Sequence, residues 1–293
     1  MRDGMIPPVS GHAASGFLRH ARLRSSPATS AAAFVPIALI LYADVVREAR
    51  LLVLGVLLFG FSYTLARQSE LRWAWAAPIP IAVWLTWRTI SAPLADPGGL
   101  QCADALSPPA AWRLAQALLA LGTLGVLMGV LGAKPAAIWW RRPTVPVARL
   151  SVLGFFVAAP LGLLLSAAIA RPYFGTFDLN IGDPLALLPG LVFSLSNAIG
   201  EEVIYRGAFM AFAGRVIGLR SALVLQAVVF GVAHAGAHFM GSPIPVVLAI
   251  GFGGYVAGLL TLKTRSLMMP IAVHAAIDLP VYAFFACRNP YPL

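Results

Sequence analysis

The chain has 293 residues, of which 59% are hydrophobic and only 11% charged, whereas soluble domains carry about 25% charged residues. This excludes an ordinary soluble globular protein and assigns the length to membrane-spanning helices of about 20 residues each. The net charge of +10 does not indicate a nucleic-acid partner: the basic residues form no stripe interleaved with aromatics and sit in the short gaps between apolar runs, as membrane topology requires.

Residues 1–27 are polar and contain Arg2, Arg19, Arg22 and Arg24. They read as a cytoplasmic tail rather than a signal peptide, because no small-residue cleavage site follows the next apolar run. Apolar runs then occupy roughly 28–46, 51–66, 73–87, 114–133, 150–170, 185–213, 221–235, 244–262 and 266–286. The second and third are short, so the expected fold is an all-α, polytopic transmembrane bundle of eight or nine spans. With the N-terminus cytoplasmic, fourteen basic residues fall inside and six outside (Arg47, Arg50, Arg88, Arg113, Arg171 and Arg288), with Arg206 inside a span; that bias supports the orientation. Trp73, Trp75, Trp84, Trp87, Trp112, Trp139 and Trp140 fall at span ends, where amphipathic rings prefer to sit.

The Pro- and Gly-rich stretch 88–113 is expected to be an outside loop carrying Asp96, Cys102 and Asp104. Cys287 falls on the same side, so topology permits a disulfide with Cys102; two unpaired thiols are the simpler reading. Four regions follow: the tail 1–27, N-terminal helices 28–149, a core 150–286 and a short tail 287–293. The expected location is a cell membrane, multi-pass, with the lipid bilayer as one partner.

Three segments carry polar groups where a membrane helix should have none. In the first, Glu201 and Glu202 are adjacent and Arg206 follows. Ionisable residues at bilayer depth are costly, inward-facing and usually functional. On a helix Glu202 and Arg206 are four apart and can pair, which leaves Glu201 on an adjacent face without a local partner. The second segment, Phe230-Gly-Val-Ala-His234, lies in the seventh apolar run. His238 follows at helical spacing, but Ala235 stands where a zinc protease of the His-Glu-x-x-His type has its Glu, so His238 reads as a boundary residue. The third, His274-Ala-Ala-Ile-Asp278, puts two polar side chains on one helix face. At 1.5 Å per residue, Glu201, His234, His274 and Asp278 all lie roughly 12–20 Å from the inner ends of their spans. Independent packing residues have no reason to share a depth; a common polar cavity does.

A buried carboxylate beside a His is a competent general base for water, and further donors can stabilise the oxyanion formed when that water attacks a carbonyl. Ser194 and Ser196 lack the sharp turn of a nucleophilic serine, so direct water attack is the simpler chemistry. No cofactor and no metal is needed for it. Residue chemistry alone leaves three other classes open: a proton-coupled transporter, which also places such groups at the midplane, a zinc-dependent membrane protease, and a catalytically silent immunity or scaffold protein. Gly254-x-x-x-Gly258 reads as close helix packing.

Glu201-Glu202-Val-Ile-Tyr-Arg206-Gly, then Phe230-x-x-x-His234, then Ser266-Leu-Met-Met-Pro-Ile-Ala-Val-His274-Ala-Ala-Ile-Asp278 resemble, in order, the three motifs of the CAAX protease and bacteriocin-processing (CPBP) family of glutamate-type intramembrane proteases. The resemblance covers about a third of the chain. It implies an intramembrane peptidase acting on a membrane-associated protein or peptide, such as the C-terminal region of an anchored or exported protein. By that resemblance Glu201 is the general base, His234 helps activate water, and His274 with residue 278 forms an oxyanion site. Glu202, Arg206 and Phe230 are supporting residues. The family often has Asn at the position of Asp278; an ionised Asp cannot donate to an oxyanion, so Asp278 is either protonated or orients His274 instead, and orientation is the expected role.

Overall fold

The computed structural model describes residues 73, 76–91, 108–174, 187–235 and 244–282, with isolated positions between 35 and 60. Helix α1 spans Ile79–Ser91, α2 Pro108–Val130 and α3 Val145–Phe174, with a short 3-10 turn at Pro135–Ile138 before α3. Helix α4, Leu187–Glu201, continues without a break into a π-helical stretch, Glu202–Phe209, and then α5, Met210–Ile217. Helices α6, Leu219–Val232, α7, Ile244–Thr264, and α8, Met268–Val281, complete the order. No strand occurs among the described residues.

Three segments are long and apolar enough to cross a membrane: Ala110–Val130, Val145–Leu165 and Ile244–Thr264. Leu219–Val232 and Met268–Pro280 are apolar but shorter. Of the first two expected spans only isolated positions are described, and the N-terminal tail, Cys102, His238 and Cys287 lie outside the described residues. The expected loop 88–113 is corrected at both ends. Helix α1 runs on past Arg88 to Ser91, and α2 begins at Pro108. Proline is favoured in the first helical turn, where its missing N–H costs nothing. Trp112 donates from its indole to Ser91 Oγ at 2.9 Å, and Trp87 to Thr123 Oγ1 at 3.0 Å. These bonds lash α2 to α1, so Arg88 and Arg113 are helix residues rather than loop charges.

The polarity of the bundle is inverted relative to a soluble protein. Phe156, Leu164, Leu248 and Phe252 are exposed, whereas Gln116, Asn197, Glu201, Glu202, Arg206, Gln226 and Asp278 are buried. Lipid accepts apolar side chains outward and forces polar ones to find partners inside.

Small residues set the helix spacings that assemble the core. A Cβ on Gly162 of α3 would come within 2.8 Å of Ile277 Cα, so the backbones of α3 and α8 meet directly there. Gly254 and Gly258 do the same for α7: a Cβ at Gly254 would meet Phe230 Cδ1 at 3.0 Å and Arg206 Nη2 at 3.1 Å, and one at Gly258 would meet Gln226 Nε2 at 2.8 Å. Gln226 Nε2 bonds across that contact to Gly254 O at 2.9 Å. A tight turn at Arg265 (φ 52°) reverses the chain between α7 and α8. There Thr264 Oγ1 donates to Ser266 O at 3.0 Å, and Ser266 Oγ accepts from Met268 N–H at 3.2 Å. Helix α8 is thereby laid along both α3 and α4, which brings His274 and Asp278 to the glutamates.

Candidate active site

The two glutamates stand where α4 gives way to the π-helical stretch. At its end, Met210 N–H bonds to the carbonyl of Tyr205, five residues back, as well as to that of Gly207. Such widened turns occur mostly at functional sites. Here all eight residues Glu202–Phe209 are buried, because the stretch contacts α1, the 3-10 turn, α6 and α7 at once. A regular amphipathic helix could not bury every face.

Glu202 is fully buried and pairs with Arg206, Nη1 to Oε1 at 2.9 Å. The same Oε1 accepts a hydrogen bond from His274 Nδ1 at 2.7 Å. A carboxylate oxygen only accepts, so His274 carries its proton on Nδ1 at this contact. Its Nε2 then faces two further carboxylates: Asp278 Oδ2 at 3.4 Å and Glu201 Oε2 at 3.7 Å. Asp278 Oδ2 also accepts from Asn197 Nδ2 at 2.8 Å. Asp278 is therefore an acceptor on two sides. Glu201 is buried, and among the described residues its Oε2 has no hydrogen-bond partner.

His234 stands at the end of α6. Its Nδ1 lies 2.7 Å from the Phe230 carbonyl, which can only accept, so the proton at this contact sits on Nδ1. His234 and His274 are the first two partners in the electrostatic environment of Glu201. The Phe230 ring is a common floor: Arg206 lies over it at 4.0 Å, and its centroid is 4.6 Å from that of His234, 5.0 Å from Tyr205 and 6.1 Å from His274. The three motifs thus converge on one cluster, in which Glu201, Glu202, Arg206, Phe230 and Asp278 are buried and His234 and His274 half-buried. Among the described residues no group of three His, Cys, Asp or Glu is disposed to hold a metal ion.

Three residues that the motifs do not flag join this cluster. Asn197 is the first, through Asp278. Arg88 of α1 donates from Nη1 to the carbonyl of Ala233 at 3.2 Å, bracing the turn that carries His234. Arg113 of α2 donates from Nη1 to Gln116 Oε1 at 2.8 Å, with its guanidinium 4.2 Å from the centre of the Trp112 ring. Both arginines interact electrostatically with Glu201, and Arg113 also with Asp278. Three guanidinium groups therefore stand against three carboxylates, which is how buried charges are tolerated. Asn197 carried a usable signal, a polar side chain at mid-span four residues before Glu201. The arginines did not, because the same residues at a span end also satisfy membrane topology.

Residues 183–280 match the family model described as Type II CAAX prenyl endopeptidase Rce1-like. The matched segment holds all three motifs and is about a third of the chain; Arg88 and Arg113 lie outside it. The match agrees with the CPBP resemblance read from the motifs. Neither a curated protein nor a solved structure matches the chain.

Proposed function

We propose that this chain, a membrane protein whose residues 183–280 match the Rce1-like type II CAAX prenyl endopeptidases, hydrolyses a peptide bond inside the membrane by glutamate-activated water. The match to a protease family supports peptidase activity. The observation that carries the mechanism is Glu201 Oε2, a buried carboxylate oxygen without a hydrogen-bond partner among the described residues, next to two histidines. An unpaired acceptor there is suited to hold a water.

In this reading Glu201 takes a proton from that water, with His234 helping to hold it. The oxygen attacks the substrate carbonyl carbon and the carbonyl becomes an oxyanion. His274, as the imidazolium, donates to it from Nε2, held in plane by Glu202 at Nδ1 and by Asp278 beside Nε2. Glu201 then returns its proton to the leaving amine as the C–N bond breaks. Glu202 and Arg206 hold the frame. The substrate is a membrane-associated protein or peptide cut near its C-terminal end, and the chain is a multi-pass protein of the cell membrane with its N-terminus cytoplasmic.

The test is cleavage of a farnesylated, internally quenched peptide by the full chain in proteoliposomes. Glu201→Gln is expected to insert normally and to lose on the order of 10²–10⁴ in rate; full activity in that variant sinks the mechanism. Chelator treatment is expected to leave the wild-type rate unchanged, and abolition by chelator with rescue by zinc would favour a metalloprotease instead.

A further inference from the structure

Oxyanion stabilisation needs N–H or O–H donors aimed at the developing charge. The cluster is poor in them. Asp278 Oδ2 accepts from Asn197 and faces His274, so that oxygen has no proton to offer. His274 commits Nδ1 to Glu202, leaving one donor position. Arg206 is tied to Glu202 and stacked on Phe230.

Asn197 fills this gap. It is four residues before Glu201 on α4, so both side chains rise from one helix face. It is buried, at 7% exposure. Its amide nitrogen carries two N–H groups; one goes to Asp278 Oδ2 at 2.8 Å, and among the described residues no second contact of that nitrogen is present. Among the same residues its Oδ1 is buried without a partner. The orientation of the amide is fixed chemically, since a carboxylate accepts only and selects the nitrogen rather than the oxygen. Asp278 thus anchors one N–H through the same Oδ2 that lies 3.4 Å from His274 Nε2, one helical turn from Glu201.

We infer that Asn197 is a catalytic residue, donating its second N–H to the oxyanion, and that Asp278 is the positioning residue that holds its amide. The inference rests on the peptidase reading above and names a donor which that reading lacks. In the described residues the amide and carboxylate form a matched pair across α4 and α8. Exchanging them keeps one amide and one carboxylate at the same junction.

The experiment uses the same full-length chain, proteoliposomes and farnesylated quenched peptide, with Glu201→Gln as the inactive control. Asn197→Ala should lower kcat by about 10²–10³ and leave KM within about twofold, the pattern of an interaction made only in the transition state. Asn197→Asp should be inactive, with two carboxylates facing each other. The exchange variant Asn197→Asp/Asp278→Asn should recover at least about tenfold over Asn197→Asp, as coupled neighbours do. A melting curve for each variant separates unfolding from chemistry. Wild-type kcat in Asn197→Ala beside an inactive Glu201→Gln overturns this inference alone, as does a folded exchange variant no more active than Asn197→Asp. Cleavage surviving in Glu201→Gln overturns the peptidase mechanism itself.

Discussion

Glu201 and Glu202 are chemically identical neighbours, and their surroundings separate them. Glu202 has Arg206 at 2.9 Å and His274 at 2.7 Å on one oxygen, whereas Glu201 Oε2 is buried with no hydrogen bond among the described residues. Removing one member of a buried ion pair strands the other, at a cost of about 3–5 kcal/mol. Arg206→Ala is therefore expected to destabilise the protein by that order, read as a large drop in melting temperature in detergent. Glu202→Gln/Arg206→Met removes both charges and should melt closer to wild type, yet still lose activity because His274 Nδ1 loses its carboxylate. A double variant with full activity would show that Glu202 does not orient His274. Much of this was legible in the sequence. The i,i+4 spacing gives the Glu202–Arg206 pair, and shared depth groups Glu201 with His234, His274 and Asp278. What spacing cannot give is the bond from His274 to Glu202 rather than to Glu201, because side-chain choice between adjacent carboxylates is decided by packing across two helices.

The helices that carry these residues are set by contacts of very small residues. Helix α8 reaches the glutamates only because α3 offers no side chain at Gly162, where a Cβ would lie 2.8 Å from Ile277 Cα. Backbone cannot step aside as a flexible side chain can, so Gly162→Val forces α8 away. Overpacking of this kind costs about 1–3 kcal/mol. Gly162→Val should lower the melting temperature and, by shifting His274 and Asp278, lower kcat more than its stability loss explains. A variant with wild-type kcat would show that α8 need not sit so close. The Gly254/Gly258 contact was readable as a motif, whereas Gly162 was not, since one glycine in an apolar run carries no sign of its partner. The π-helical stretch was unreadable for a related reason. Glu202–Phe209 is continuous with helices on both sides, and its one poor helix former, Gly207, does not distinguish a widened turn from an ordinary helical glycine.

On the scale of the whole molecule, the question is whether the segment bearing the motifs is a complete catalyst. Its match ends at residue 183 on the N-terminal side, yet the wall beside Glu201 comes from further upstream. A Cβ on Gly200 would lie 2.5 Å from the Trp84 ring of α1, so that indole, 1% exposed, packs directly on the residue before the proposed base. Gln116 of α2 reaches back to the Trp84 carbonyl at 3.4 Å, and Arg88 braces the His234 turn. Arg88 and Arg113 also supply two of the three positive charges that face the carboxylates. Without α1 and α2, Glu201 and Asp278 would keep their negative charge in an apolar site with little to offset it, and such sites are expensive. The stretch between Trp140 and Thr144 is largely exposed, so a cut between Pro143 and Thr144 leaves helix packing untouched. Residues 144–293 expressed alone are therefore expected to insert but to cleave nothing. Co-expression of residues 1–143 as a separate chain should restore cleavage of the farnesylated quenched peptide. If the 144–293 fragment cleaves at the full-length rate, the N-terminal helices contribute neither wall nor charge to the site. If the two pieces co-purify without activity, helix packing alone is not enough, and the covalent link is needed to seat Arg88 and Arg113.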